Sequence, residues 1–273
     1  MATINFFTGS KIPKLKKSLI LFIALSSLFL ILLLLIIGLT MPLKQPVLSN
    51  TLITLSAWSS TFALIIVRKR LYPESGIIEF VKSRFTDRIA TGQILLIIVI
   101  QLFLFLATAL FFLRTGSTEA LLTAAGPGSV GLLFLTHLIK GPLGEELGWR
   151  GFMQVELEKR ISGLKSALIV GCFWGLWHFP LWFLTSGYSG LRLLVYAVAF
   201  VLGTMSVSVI IACHYRRCRN LLIPVLIHQL FNYLNFSGFI SADLFPVFLM
   251  TIAGYLVYAL ILVIVNPGKR LYG

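Results

Sequence analysis

The sequence predicts an all-α, polytopic integral membrane protein with about eight transmembrane helices and both termini in the cytoplasm. Three observations predict it. The 273 residues are 58% hydrophobic and 12% charged, with a mean hydropathy of +0.96, far from the balance of a soluble domain. The apolar residues fall in runs long enough to cross a hydrocarbon core of about 30 Å. The basic residues collect in alternate loops, as the positive-inside rule requires.

Taken in order, the apolar runs place helices at 18–39, 48–67, 89–113, 128–152, 166–184, 191–213, 221–236 and 244–265. The first follows Lys11, Lys14, Lys16 and Lys17, but it is too long for a signal-peptide core and lacks a small-residue cleavage site, so it is expected to remain as a helix. With this register nineteen Lys and Arg fall on one side and three (Lys44, Arg114 and Arg192) on the other, with Lys140 inside the fourth span. The side with nineteen is therefore cytoplasmic. The net charge of +14 is then mostly topology, and it gives no reason to invoke nucleic acid.

The connectors say less. Segment 68–88 alternates basic residues with Glu74, Glu79 and Asp87 and reads as a solvated connector, with a short amphipathic helix on anionic lipid as the other reading. Gly126-Pro127-Gly128 is a breaker that fixes where the fourth span begins. Cys172, Cys213 and Cys218 lie in or beside spans, where no disulfide is expected. Cys213, His214 and Cys218 lack the fourth ligand or paired spacing of a zinc site.

The fourth span carries the anomaly. Gly144-Glu145-Glu146-Leu147-Gly148-Trp149-Arg150-Gly151 puts two carboxylates and a guanidinium at membrane depth, where each charge costs roughly 2.5 kcal/mol or more and marks function. Glu146 and Arg150, four apart, meet on one helix face. Glu145, rotated by about 100°, is the freer acid. Burial of an unneutralised carboxylate raises its pKa toward the range of a general base. Two more spans contribute His178, after Phe173-Trp174-Gly175-Leu176-Trp177, and His228 with Asn232 four residues on. Depth counted from the cytoplasmic loops predicts a shared cavity in the inner half of the bilayer.

Glu145-Glu146-x-x-x-Arg150, His178 in the next helix and His228-x-x-x-Asn232 resemble, in identity and order, the three motifs of the CPBP family, the CAAX proteases and bacteriocin-processing (Abi) enzymes. The family's second motif is usually Phe-x-x-x-His; here position 174 is Trp, with Phe173 one place earlier. The resemblance implies an intramembrane endopeptidase in which Glu145 and His178 activate water, His228 and Asn232 stabilise the oxyanion, and Glu146 with Arg150 supports them. It implies a catalytic core at 128–240, flanked by helices in 1–127 and a last span in 241–273. The expected partner is a peptide or protein substrate presented from the membrane or its cytoplasmic side, in a bacterial cell membrane. No cofactor is expected; zinc on Glu145, His178 and His228 is the alternative, although no H-E-x-x-H occurs.

Other readings are weaker. Gly187-Tyr188-Ser189-Gly190 matches a serine-protease pattern, but His214 is about 37 Å away along its helix and cannot serve as its base. His137 and Lys140 are expected to line a cavity or snorkel. A non-catalytic immunity or scaffold protein that keeps the motif residues is the main alternative from another class. A transporter is disfavoured because no matched pair of broken helices is visible.

Overall fold

The computed structural model describes residues 11–115, 127–237, 239, 243–269 and 271–272. The expected outer loop at 115–128 lies mostly outside them. Among the described residues the chain is helical, with no named strand: α1 (Lys11–Thr40), α2 (Pro46–Ala57), α3 (Ser59–Leu71), α4 (Ile77–Lys82), α5 (Thr91–Arg114), α6 (Pro127–Ile139), α7 (Pro142–Gly148), a π segment (Trp149–Gln154), α8 (Val155–Glu158), α9 (Gly163–Trp177), α10 (Phe179–Thr185), α11 (Gly190–Tyr215), α12 (Leu222–Phe236) and α13 (Leu244–Val265).

All eight apolar runs are helical, but they do not all cross as single rods. Among the described residues four helices, α1, α5, α11 and α13, are long and apolar enough to span alone; α2 with α3 and α9 with α10 are bent by 46° and 41° and raise the number to as many as six. The α9–α10 bend follows from Pro180, at the start of α10, which has no N–H to continue the ladder. The α2–α3 bend falls at Trp58, whose indole N–H reaches across to the Ile139 carbonyl at 3.0 Å. The expected fourth span breaks after Ile139 and resumes as α7. The seventh, α12, has 15 residues, about 22 Å of helix, short of a full crossing.

Close packing comes from small residues. Gly144 and Gly148 put α7 against α3: a Cβ on Gly144 would meet the Trp58 ring at 2.6 Å, and one on Gly148 would meet Ser60 at 2.8 Å. In the gap Ser60 and Thr61 donate hydroxyl hydrogen bonds to the Gly144 carbonyl. Gly171 and Gly175 do the same for α9 on α11, against Met205 and Thr204. In lipid, where apolar burial gives little drive, such small-residue contacts and interhelical hydrogen bonds hold helices together. Buried glutamines add to them: Gln101 on α5 donates to the Ile227 carbonyl at 2.8 Å and accepts from the Tyr255 hydroxyl of α13, and Gln229 donates to the Phe134 carbonyl of α6 at 2.8 Å. The residues on both sides of His228 are thereby pinned.

Segment 68–88 is largely exposed, as expected of a solvated connector, but it is tied down. It contains α4, and its end pairs with the turn before α12: Leu221 N–H donates to the Arg84 carbonyl, the Asn220 amide to the Phe85 and Asp87 carbonyls, and Arg219 N–H to the Asp87 carboxylate. Phe80 is buried beside Tyr72. Tyr72 donates to Glu156 on α8, and burial with that nearby carboxylate pushes its phenol above the ordinary value.

Gly171→Ala forces a Cβ to 2.5 Å from the Met205 Cα, which no rotamer relieves. It should cost about 1–3 kcal/mol, read as a lowered thermal midpoint in detergent. Gly131→Ala, with nothing within 4 Å of the added atom, should leave the midpoint unchanged. Equal midpoints for the two variants would contradict this packing.

Candidate active site

Glu146 is fully buried, and its Oε1 accepts two hydrogen bonds: from Arg150 Nη1 at 2.8 Å, as the spacing predicts, and from His228 Nδ1 at 2.8 Å. A carboxylate only accepts, so Nδ1 carries the proton. In the neutral ring Nε2 is then a lone pair, and the Asn232 amide nitrogen lies 3.0 Å from it. The order Arg150, Glu146, His228, Asn232 is therefore one hydrogen-bonded chain. In this tautomer His228 holds Asn232 and offers no proton of its own to an oxyanion, a different part from the one the resemblance implies. The second N–H of Asn232 is left for the cavity.

Arg150 is buried within the π segment and used on several sides. Nη2 donates to Ser208 on α11 at 2.8 Å, and the guanidinium face lies 4.3 Å from the Trp174 ring. Ser208 was not singled out from the sequence, although Thr204 and Ser208, four apart on α11, form a small polar face where α9 packs.

Glu145 is held differently. The Trp174 indole N–H donates to its Oε2 at 2.6 Å. The sequence treated Trp174 as an aromatic substitute for Phe; the structure shows that the substitution adds a hydrogen-bond donor to an acid in low dielectric. Glu145 Oε1 and Asn232 Nδ2 flank the same small space, since a Cβ built on Gly141 would lie 3.8 Å and 3.2 Å from them. His178 occupies the bend between α9 and α10. Its backbone N–H bonds to Gly175 three residues back, and its ring Nδ1 donates to the Trp174 carbonyl at 2.8 Å. Nε2 is thus the free lone pair of His178.

A cavity of about 310 Å³ is lined by Glu145, His178, His228 and Asn232 together. A larger one, about 630 Å³, shares Glu145 and His178. Lys140 lines both and donates to Asn50 at 2.9 Å; His137 lines the smaller. Both thus line cavities, as expected. The larger is walled by Leu30 to Met41 of α1 and Leu181 to Thr185 of α10, the helix ends away from the basic loops. After Glu146 along the chain, Trp149, Arg150, Phe152, Met153 and Gln154 are packed solid, at most 1% exposed.

The alternative zinc set does not fit. Among the described residues no three His, Cys, Asp or Glu are grouped closely enough to hold a metal ion, and both ring nitrogens of His228 face Glu146 and Asn232. The other decoys are accounted for within the helices. His214 Nε2 lies 3.2 Å from the Tyr258 hydroxyl, Ser189 immediately precedes α11 without a side-chain hydrogen bond to its first turn, and the three cysteines form no disulfide.

Residues 127–234 match the family described as type II CAAX prenyl endopeptidase, Rce1-like. The chain is also similar to a curated "CAAX prenyl protease 2" of Methanococcus maripaludis, 34% identical over 108 residues, which is 38% of this chain and 39% of the relative. The match thus spans about two-fifths of that relative's length.

Arg150→Ala leaves Glu146 with one donor and an unpaired charge in the core, and should cost about 3–5 kcal/mol, read as a large drop in thermal midpoint and folded yield. Arg150→Lys should recover only part of it, because an ammonium cannot reach Glu146 and Ser208 together while stacking on Trp174. Full recovery by lysine would show that charge alone suffices.

Proposed function

With residues 127–234 matching the Rce1-like type of the CPBP family, we propose that this multi-pass membrane protein is an intramembrane endopeptidase that uses Glu145 and His178 to activate water. The carrying observation is the single cavity lined by Glu145, His178, His228 and Asn232. Glu145, oriented by Trp174, takes a proton from a water that also hydrogen-bonds to His178 Nε2. The water oxygen adds to the peptide carbonyl, and the free N–H of Asn232 meets the developing oxyanion. The proton then passes to the leaving amine as the C–N bond breaks. His228, Glu146 and Arg150 hold Asn232 in place. No step is routed through a metal, because the donor set described above does not gather around one.

Glu145→Gln should abolish cleavage while leaving the protein inserted, checked by mapping which membrane-protein termini disappear in cells carrying the variant. A set of termini identical to wild type would favour the non-catalytic, partner-binding alternative. Trp174→Phe keeps the ring and removes only the donor to Glu145. It should lower kcat roughly tenfold to a hundredfold with little change in KM, as expected for a lost hydrogen bond to a charged group. Asn232→Ala should lower kcat by roughly a hundredfold to a thousandfold. Stoichiometric zinc that is lost on His228→Ala would overturn the metal-free mechanism.

A further inference from the structure

Another cavity, also of about 310 Å³, lies apart from the two that Glu145 lines. It sits between the connector at 68–88, α8 and the turn after α11, and its lining includes Arg84, Glu158, Lys159, Tyr215 and Arg219. Three cations from three separate segments thus face one space. The carboxylate among them is already used: Glu158 Oε1 accepts from Gln154 Nε2 at 2.9 Å and Oε2 from Arg219 Nη2 at 2.6 Å, with Arg216 Nη1 3.6 Å away. Lys159 donates to Glu156 at 2.7 Å and to the Tyr72 hydroxyl at 2.8 Å, which occupies two of its three protons.

The guanidinium groups keep donors to spare. Arg84 lies over the Phe80 ring at 4.3 Å; its guanidinium makes no ion pair or hydrogen bond among the described residues, and its Nε is buried without a partner. Arg219 Nη1 is also buried without a partner, its guanidinium 5.2 Å from the Tyr215 ring. Buried donors left unpaired within a protein are rare, because each forfeits a hydrogen bond. Both arginines stand on fixed backbone: the Arg84 carbonyl accepts from Leu221 N–H at 2.8 Å, and Arg219 N–H donates to the Asp87 carboxylate at 2.8 Å. The pairing of the connector with the turn before α12 therefore presents two guanidinium groups to the same pocket before any ligand arrives.

We infer that this pocket binds a phosphate group, carried by a phospholipid headgroup or by a soluble phosphomonoester. A phosphate has enough acceptor oxygens to meet both guanidinium forks and the remaining proton of Lys159, and arginine pairs with it in two parallel hydrogen bonds. Its negative charge offsets cations that the Glu158 carboxylate alone does not balance. The cavity is larger than the group itself, which leaves room for what carries it, and basic pockets of this kind between helices suit phospholipid headgroups. The site stands independently of the protease reading, because its test measures binding and not cleavage.

Purified full-length protein in a nonionic detergent is titrated with inorganic phosphate by calorimetry, against sodium chloride at matched ionic strength. In parallel, retention of added phosphatidylglycerol is measured by native mass spectrometry. At least one of the two probes should bind saturably. Arg84→Gln and Arg219→Gln should each weaken that binding roughly tenfold to a hundredfold, as loss of hydrogen bonds to a charged group does. Lys82→Gln removes an exposed charge from the same connector and should leave the affinity within about twofold. Retention of phosphatidylglycerol without binding of inorganic phosphate assigns the pocket to a lipid headgroup; binding of inorganic phosphate without lipid retention assigns it to a soluble phosphate. Arg84→Gln leaves the Glu158 pairs untouched, so it tests the site even if Arg219→Gln folds poorly. Absence of saturable binding by either probe overturns the inference. So does equal weakening by Lys82→Gln and Arg84→Gln, which would make the effect one of general surface charge.

Discussion

The structure depends on one carboxylate. Glu146 has no exposure to solvent, and its Oε1 takes donors from Arg150 and His228. A charge there is tolerable only because two donors meet it, and each donor is fixed by another element: Arg150 by Ser208 on α11 and the Trp174 face on α9, His228 by Asn232 and by its pinned neighbours on α12. Four helical elements are thus registered to one oxygen atom. An ion pair of this kind is weak evidence for net stability; its evident use is to bring α7, α9, α11 and α12 to one geometry.

That geometry needs close approach, and glycine allows it. α7 sits against α3 because Gly144 and Gly148 have no side chain to keep it away, and α9 sits against α11 through Gly171 and Gly175. The N-terminal helices therefore do more than span: α3 supplies Ser60 and Thr61 to the backbone at Gly144, next to the proposed base, and α1 supplies a cavity wall. Trp174 links the two acids. Its indole N–H holds Glu145, its ring carries the Arg150 that neutralises Glu146, and its carbonyl holds His178.

By itself the sequence determined the helical class, the membrane setting and which residues are candidates for chemistry. Apolar runs of span length have few other uses, and acids inside one must be paired or functional, so Glu145, Glu146, Arg150, His178, His228 and Asn232 stood out before any contact was known. The i,i+4 pairing of Glu146 and Arg150 was legible for the same reason: it is set by helix period. Tertiary structure alone decided what depends on relations between helices. The His228 bond to Glu146, the part of Ser208, the docking of 68–88 and the direction of the cavities all join residues far apart in the chain, and no local period encodes them. Trp174 shows the boundary most clearly, because its aromatic character was readable from the sequence, whereas its indole N–H became a ligand for Glu145 only once α9 was packed beside α7.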